Sequence, residues 1–373
     1  MNPRRLHIGL IGPVPPPNGG MAMQTEQLAR LLREEGIEVT LLPVNPPYRP
    51  AFVANIPILR AACRLWSYLF AVWRLAGRVD VIHLMANSGW SWQLFAAPVL
   101  WLAALRNTPV VVNYRGGEAK DYFLKSFRWV KPSLKRATAI VVPSGFLEQI
   151  FQEFGQAPRV VPNIIDRNVF QPAHPPAARA RSVNQGETFD LVITRNLEPI
   201  YGIDIAIQAL ARVREAGCAA RLLIAGSGPA ESDLKALASE LGVSEAVTFV
   251  GRLDRTGIAA LYAAADAMVN PTNVDNMPNS VLEALACGLP VVSTDVGGVP
   301  YILTHEQNAL LVPPRNADAL AAAIIRLSRD DLLRQRLRDT GLEQIEQYTW
   351  HNVRELWLRT YHDAIAQNRK QAA

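Results

Sequence analysis

The chain has 373 residues with a formal net charge of +5, and 49% of the residues are hydrophobic. This length predicts about two domains with a core each, and the hydrophobic share excludes a disordered protein. The basic excess favours anionic partners such as nucleotides, phosphates or acidic membranes. The sequence has no zinc-finger spacing, aromatic RNA-binding signature or long Lys/Arg tract, so we expect no nucleic-acid partner.

The three cysteines, Cys63, Cys218 and Cys287, show no paired spacing. We interpret them as small buried hydrophobic residues in a reducing compartment. The first strand begins at Leu6 and breaks at Gly12, so we expect no signal peptide. No apolar run is long enough to span a bilayer, and these observations together predict a cytoplasmic protein.

Strand-like runs alternate with amphipathic helical runs through most of the chain, which predicts parallel α/β layers. The first strand leads into a loop in which Gly19 and Gly20 precede a helix over about residues 22–35. A strand, a glycine-containing loop and a helix are typical of nucleotide-binding folds, although the dinucleotide fingerprint is absent. Two explanations stay open: the glycines let the backbone approach a phosphate, or the loop needs positive φ angles.

A helix predicted over residues 57–77 combines an aromatic-rich apolar stripe with flanking arginines. This pattern suits the surface of an anionic membrane, and a core helix with solvated arginines explains it as well. The same two alternatives apply to the tryptophans of the N-terminal half, which are Trp66, Trp73, Trp90, Trp92, Trp101 and Trp129.

Polar residues follow the buried strand predicted over residues 109–114. Arg115 comes directly after it, with Glu118 and Asp121 close behind. Ligands of parallel α/β folds bind beyond the carboxyl ends of the strands, so these three residues are candidates for a site. A salt bridge within the loop is the alternative.

Residues 172–186 are rich in proline and alanine and show no apolar period, which predicts a linker. A second series of strands and helices follows. The predicted division is therefore an N-terminal domain over 1–171, a linker over 172–187, a C-terminal domain over 188–348 and a final helix over 349–373.

Residues 270–301 predict a loop, a helix, a strand and a second loop. Asp275 precedes the helix, Glu283 lies within it, and Gly288 suits a left-handed residue at its end. The helix N-terminus offers backbone N–H groups and a positive dipole end to a phosphate or sugar oxygen. The two carboxylates suit the vicinal hydroxyls of ribose or a hexose. The alternative is a capped helix in an ordinary α/β unit.

These features together resemble the retaining, nucleotide-sugar-dependent glycosyltransferases of group 1, family 4 type. The matching pieces extend over nearly the whole chain and are Gly19-Gly20, residues 80–83, residues 162–166 with Phe170, Arg195 with Leu197, and residues 225–229, 247–251, 264–266 and 275–300. The resemblance implies the GT-B fold, in which two Rossmann-like domains with parallel sheets face a cleft. It also implies a C-terminal helix that crosses back to the N-terminal domain.

The resemblance further implies roles for single residues. Glu283 would hold the ribose hydroxyls of the donor, Asp275 its sugar hydroxyls, and Arg195 its diphosphate. The other donor-binding residues would be Gly19, Gly20, Gly251, Asn276, Met277, Pro278 and Asn279. The catalytic residues would be Arg115, Arg195 and Asp275. No D-x-D pair follows a strand, so we expect no metal and no cofactor besides the donor substrate.

The chain departs from the family pattern at three places. Asp275 replaces a glutamate, and Asn276 replaces the glycine after it. The lysine expected a few residues after Arg195 is absent, and Tyr201 stands nearest to its place without a fixed positive charge. Arg115 replaces a histidine. We hypothesise that Arg115 supplies the charge missing at Tyr201.

The function implied is front-face transfer of a sugar to a hydroxyl acceptor, with retention of the anomeric configuration. The expected acceptor is a lipid-linked or surface glycan precursor of polysaccharide biosynthesis, at the inner face of the cytoplasmic membrane. Two alternatives remain open: a nucleotide-sugar-binding protein that has lost turnover, and a nucleotide-sugar epimerase of the same architecture.

Overall fold

A computed structural model describes residues 5–16, 19–45, 57–172 and 188–372, with the side chains of 57–63 and 371–372 left out. The chain divides into two compact units. The first comprises Met1–Ile164 and Val353–Ala373, and the second comprises Ile165–Asn352. Most of the predicted linker lies outside the described residues.

The first unit is built on one parallel sheet. Its strands are β1 (His7–Gly12), β2 (Glu38–Pro43), β3 (Val81–Ala86), β4 (Val110–Tyr114), β5 (Ala139–Val142) and β6 (Arg159–Val160). Its helices are α1 (Gly20–Glu34), α2 (Pro57–Ala76), α3 (Ala97–Leu105), α4 (Ala119–Leu134) and α5 (Gly145–Glu153). The strands pair in the order β2-β1-β3-β4-β5-β6, and every pairing is parallel.

The second unit repeats this plan. Its strands are β7 (Phe189–Thr194), β8 (Ala220–Ala225), β9 (Val247–Gly251), β10 (Ala267–Asn270), β11 (Val291–Thr294) and β12 (Ala309–Val312). Its helices are α6 (Ile203–Glu215), α7 (Glu231–Glu240), α8 (Arg255–Ala264), α9 (Asn279–Ala286), α10 (Ala317–Arg329) and α11 (Asp331–Gln344). The order β12-β11-β10-β7-β8-β9 is that of a Rossmann sheet, whose strand order reverses between β7 and β10.

The burial of the strands explains why apolar runs in the sequence predicted them. β3, β4, β10 and β11 are buried along their whole length, because helices cover both faces of a parallel sheet. Strands of this kind are nearly continuous in Val, Ile and Leu rather than alternating. The predicted α/β class with two Rossmann-like sheets is confirmed. Within the described residues, no helix is long and apolar enough to cross a membrane.

The first unit ends earlier than the predicted boundary at residue 171. The backbone N–H of Ile165 donates to the carbonyl of Tyr348 at 2.9 Å. Phe170 is buried, with its ring 6.3 Å from that of Tyr262. Residues 165–171 therefore belong to the second unit, because their hydrophobic side chains complete its core.

The last helix, α12 (Trp350–Ala372), begins in the second unit and belongs to the first from Val353 onward. Val353, Trp357, Tyr361 and Ala364 are buried, at the spacing of one helical face.

A π-helical turn, Trp92–Ala96, leads directly into α3. Pro98 lies in the first turn of α3, where its missing N–H interrupts the regular bonding pattern.

Candidate functional site

Two polar residues lie at the reversal point of the second sheet. Arg195 directly follows β7, and Asn270 is the last residue of the neighbouring β10. The connections from these strands leave in opposite directions, which opens a crevice at the carboxyl edge of the sheet. The sequence therefore places a cation at the position where folds of this type bind nucleotides.

Buried hydrogen bonds fix the orientation of Arg195. Its Nε and Nη2 donate to Oδ1 of Asn270 at 3.3 and 3.0 Å. The amide Nδ2 of Asn270 donates in turn to Oγ of Ser293 at 2.9 Å. Asn270 and Ser293 are fully buried. The guanidinium is thus held by a network that extends to the next strand, β11.

Arg195 also forms an ion pair with Asp275, and the two side chains are only 12% and 13% exposed. On another side, its guanidinium carbon lies 5.0 Å from the ring centroid of Tyr201. Partial shielding from water strengthens both interactions relative to a surface pair. Residues 80 positions apart in the sequence thus meet as the predicted site requires.

The loop that carries Asp275 is held by a second loop after β11. The N–H of Gly298 donates to the carbonyl of Asp275 at 2.8 Å, and Gly297 has a φ of 55°. A Cβ at Gly297 would clash with the Asp275 carbonyl, and one at Gly298 with that of Asn276. The two glycines are therefore required by close backbone contact.

The same loop leads into α9. Pro278 is the N-cap residue, Asn279 begins the helix, and Met277 is buried beneath the loop. Gly288 follows the helix with a φ of 68°, as predicted. The N-terminus of α9 brings the positive end of its dipole to the predicted donor-binding loop.

Glu283 lies on the second turn of α9, near three side chains of other elements. Burial raises its pKa to about 7, although the guanidinium groups of Arg255 and Arg195 partly offset this effect. The hydroxyl of Tyr262 lies 3.5 Å from Oε2 of Glu283. A carboxyl with this pKa is partly protonated near neutral pH and can both donate and accept hydrogen bonds.

Arg255, the first residue of α8, is itself held in place. Its Nη1 lies 3.2 Å from Oδ2 of the buried Asp166, and its guanidinium carbon lies 5.5 Å from the Phe170 ring centroid. Asp166 and Phe170 belong to the segment that the sequence assigned to the first domain. Because both residues belong to the second unit, they can hold the guanidinium of Arg255 beside Glu283.

Gly251 ends β9 at the same edge of the sheet. Its φ is 74°, and its carbonyl accepts the N–H of Gly226 at 2.8 Å. A Cβ at Gly226 would clash with the carbonyl of Arg195, so the loops after β7, β8 and β9 pack closely together. The exposed Arg252 donates from Nε to Oγ of Ser227 at 2.6 Å. Gly251 is thus connected to Arg195 through the loop that follows β8.

The first unit places Arg115 directly after β4. Its Nε donates to Oδ1 of Asn113 at 3.0 Å, and its Nη1 donates to Oδ1 of Asn163. Burial lowers the pKa of the guanidinium to about 10. Glu118 is the N-cap residue of α4, and Asp121 lies in its first turn.

Gly19 and Gly20 lie at the start of α1 and are exposed. Gly19 has an extended φ of −155°, and a Cβ there would meet no heavy atom within 4 Å. The explanation by a positive φ is therefore wrong for Gly19. One turn later, Gln24 exchanges hydrogen bonds of 3.0 and 3.1 Å with the backbone of Ile164, next to Asn163.

Within the described residues, no group of three or more His, Cys, Asp or Glu side chains is arranged to hold a metal ion. Cys218 and Cys287 are free thiols and buried, while the side chain of Cys63 lies outside the description. The expectation that no metal takes part stays a prediction.

Sequence reasoning missed four residues of the second unit: Asn270, Ser293, Tyr262 and Arg255. Asn270 and Ser293 carried a usable signal. Asn270 ends an otherwise apolar strand, and Ser293 follows the two valines that begin β11. The contacts of Tyr262 and Arg255 depend on how α8 packs, and no sequence spacing encodes that packing.

Two parallel α/β units, with a cation and carboxylates at the carboxyl edge of the second sheet, define a protein with two Rossmann-like domains. The model for "Glycosyl transferases group 1" matches residues 176–344, and that for "Glycosyltransferase Family 4" matches residues 18–169. The chain belongs to the group 1 glycosyltransferases of family 4 type, which have the GT-B fold.

Individual relatives match over nearly the full length. The chain is 29% identical to the phosphatidyl-myo-inositol mannosyltransferase of Mycobacterium leprae, over 95% of this chain and 96% of the relative. A sucrose-phosphate synthase from Thermosynechococcus elongatus has a TM-score of 0.77 at 21% identity, covering 97% of this chain and all of that one. Anabaena HepE, solved in complex with UDP, has a TM-score of 0.74 at 19% identity, covering 95% and 99%.

Proposed function

We propose that this glycosyltransferase uses a nucleotide-diphosphate sugar as donor and retains the anomeric configuration in its product. The observation that carries the proposal is the fixed Arg195–Asp275 pair beside the N-terminus of α9. HepE, a structural neighbour, has been solved with UDP and with UDP-glucose, which supports a nucleotide-sugar donor. Family membership supports glycosyl transfer itself.

In this proposal the donor diphosphate binds to Arg195 and to backbone amides of residues 276–279. Asp275 accepts hydrogen bonds from the sugar hydroxyls, and Glu283 holds those of the ribose. Negative charge develops on the leaving diphosphate, so a cation already held in place stabilises the transition state without reorganisation. Arg115 adds a second positive charge. Gly19 and Gly20 let the backbone approach the phosphates.

A thermal-shift panel of UDP-, GDP- and ADP-sugars tests donor binding, because a ligand that binds only the folded state raises Tm by mass action. We expect one nucleotide family to stabilise the wild type and to lose this effect in Arg195→Ala. Arg326→Ala is the matched control, since it breaks an exposed arginine–carboxylate pair of the same unit. No stabilisation by any of these sugars would contradict the proposal.

Turnover separates the proposal from its two alternatives. Transfer predicts release of the nucleoside diphosphate and a glycoside with the anomeric configuration of the donor, which NMR coupling constants report. A binding protein without turnover would show the thermal shift but release no diphosphate with any acceptor. An epimerase would convert the sugar with no acceptor present.

We propose further that the acceptor is a lipid-linked glycan precursor at the cytoplasmic membrane face. A lipid, phosphatidyl-myo-inositol, stands in the name of the Mycobacterium leprae relative. The support within this chain is an exposed apolar surface of the first unit, which we call the aromatic face. Its members are Trp66, Phe70, Trp73, Trp90, Trp101, Leu105, Leu124 and Trp129.

The exposure of the tryptophans supports their proposed role at a membrane surface. Of the six, only Trp92 is buried in the core, whereas Trp66 and Trp90 are 74% and 78% exposed. Exposed large apolar side chains in such numbers are typical of interaction surfaces. A core role accounts for Trp92, and the other five tryptophans are available to the proposed surface.

Arginines lie between the aromatic rings. The guanidinium carbon of Arg106 is 4.8 Å from the ring centroid of Trp73, and that of Arg136 is 3.5 Å from that of Trp101. The first contact connects the C-terminal end of α3 to α2, and the second connects the segment after α4 to α3. Tryptophan rings next to cations suit the interface of an anionic bilayer.

Co-sedimentation with vesicles of phosphatidylcholine and phosphatidylglycerol tests this surface. Replacing both Trp66 and Phe70 by Ser should weaken binding about tenfold or more, because each ring buries apolar area in the bilayer. The control is Leu332→Ser, at a leucine of the other unit that is 80% exposed. Equal binding of both variants and the wild type would contradict membrane docking.

A further inference from the structure

A chain of buried hydrogen bonds connects the C-terminal helix to Arg115. The hydroxyl of Tyr361 on α12 lies 2.7 Å from Nδ1 of His83 on β3. Nε2 of His83 lies 3.0 Å from Nδ2 of Asn113 on β4. Oδ1 of Asn113 then accepts the hydrogen bond from Nε of Arg115 at 3.0 Å. Tyr361, His83 and Asn113 are 0% exposed.

The directions of these bonds follow from one fixed donor. Arg115 only donates, so Asn113 must present its carbonyl oxygen to the guanidinium and its amino group to His83. Nε2 of His83 is therefore an acceptor, which puts the ring proton on Nδ1. His83 donates that proton to the oxygen of Tyr361. Each group has one compatible role, and reversing any of them would set two donors against each other.

The electrostatics of the interior agree with this assignment. Burial and the positive charge of Arg115 lower the pKa of His83 to about 3, so the imidazole is neutral. A protonated ring would carry a second N–H and oppose the amino group of Asn113. The network thus stays in one protonation state through the physiological range.

Aromatic packing holds the Tyr361 end of this hydrogen-bond network in place. The ring of Trp357 lies 4.7 Å from that of His83, and it stacks on Tyr361 at 5.8 Å with an angle of 19°. At the other end, the Asn163 amide oxygen accepts from Nη1 of Arg115. Amide oxygens carry no net charge, so the bonds to Asn113 and Asn163 orient the guanidinium without neutralising it.

We propose that Tyr361, His83 and Asn113 are positioning residues for Arg115, so that helix α12 sets the geometry of a cation used in glycosyl transfer. This inference rests on the proposed role of Arg115 in stabilising the donor diphosphate. A guanidinium that keeps its charge but loses its orientation meets the leaving group less well, and misplacement by about 1 Å can cost a hundredfold in rate.

The test measures release of nucleoside diphosphate from the nucleotide sugar that gives the largest thermal shift. Asn113→Leu removes the acceptor for Arg115, and Tyr361→Phe removes only the terminal hydroxyl. We expect kcat to fall roughly tenfold to a hundredfold in the first and less in the second, with the donor KM little changed. Thr108→Val is the control, because it removes a buried hydrogen bond at the opposite end of β4, to the carbonyl of Ala76.

The same two changes are then made in Arg115→Lys, which keeps a positive charge but has no Nε to be oriented. If the network acts through Arg115, Asn113→Leu and Tyr361→Phe will have little further effect in this background. Equal losses in both backgrounds, or losses matched by Thr108→Val at the same change in Tm, would overturn the inference. If Asn113→Leu does not fold, Tyr361→Phe carries the comparison alone.

Failure of the inference can be told apart from failure of the proposed function. If Arg115→Ala lowers kcat while Asn113→Leu does not, the positioning role is wrong and the role of Arg115 stands. If Arg115→Ala leaves kcat and donor KM unchanged, Arg115 is not part of the reaction and both ideas fall.

Discussion

The guanidinium of Arg195 packs on the ring of Tyr201 in the position where the family resemblance leads one to expect a lysine. The guanidinium carbon lies 5.0 Å from the ring centroid. Burial, the strongest influence on Tyr201, raises the pKa of its hydroxyl, so Tyr201 stays neutral. The side chain therefore adds no charge to the site. Its ring instead packs against the guanidinium of Arg195 and supports that cation.

This relationship predicts that the ring of Tyr201, and not its hydroxyl, matters for activity. A cation–π contact of this kind contributes about 0.5–2 kcal/mol, so Tyr201→Ala should lower kcat/KM for the donor by about two- to thirtyfold. Tyr201→Phe should stay within about twofold of the wild type, since it keeps the ring. Steady-state kinetics measure both. Equal losses in the two variants would show that the hydroxyl carries the effect.

The raised pKa of Glu283 predicts a dependence of stability on pH. The pKa rises from an ordinary 4.5 to about 7 in the folded protein, so the folded state binds this proton more tightly than the unfolded chain. The contribution of Glu283 to the free energy of unfolding therefore falls as pH rises between these values, by up to about 3 kcal/mol. Glu283→Gln has no ionisable group at this position, so its free energy of unfolding does not show this decrease.

Thermal unfolding of the wild type and Glu283→Gln from about pH 5 to about pH 8 checks the prediction. The Tm of the glutamine variant, relative to the wild type, should rise across this range by several degrees. A Tm difference that does not vary with pH would mean that Glu283 is ionised throughout.

Gly297 offers a test of the loop that carries Asp275. An alanine at position 297 would have to adopt a left-handed φ, and its Cβ would clash with the carbonyl of Asp275. Gly242 has a φ of 68° in the same unit with open space around it. Both Gly→Ala changes should cost about 1 kcal/mol or more in backbone strain, but only Gly297→Ala should also abolish most turnover. Turnover lost equally in the two variants would exclude a specific role for the loop.

At Gly19, a substitution should affect donor binding without lowering the stability of the protein. Its extended φ and the open space around it mean that Gly19→Ala should leave the free energy of unfolding unchanged or raise it by up to about 1 kcal/mol. If the donor phosphates approach this backbone, the same change should raise the donor KM. An unchanged KM in both Gly19→Ala and Gly19→Val would remove Gly19 from the site.

The sequence was a good guide wherever a local pattern had one structural outcome. The apolar runs of the two sheets and the spacing of Asp275, Glu283 and Gly288 predicted the fold and the loop before α9. Such patterns work because a buried parallel strand and a capped helix each constrain composition over a few adjacent residues.

The contacts that the sequence did not predict depend on packing between elements that are distant in the sequence. The sequence places Asp166 within the first domain, yet in the structure it pairs with Arg255 in the second unit. His83 looked like part of a strand motif, yet it joins Tyr361, 278 residues away, to the residues around Arg115. No periodicity encodes such contacts, since either partner alone is compatible with many environments.

The most direct test of the account is calorimetric titration of a nucleotide sugar into the wild type, Arg195→Ala and Arg326→Ala. We expect saturable binding by the wild type and by Arg326→Ala. In Arg195→Ala the affinity should be lower by about tenfold or more, since charge-assisted bonds to a phosphate are lost. Undiminished binding by a folded Arg195→Ala variant would contradict the assignment of the donor site to the carboxyl edge of the second sheet.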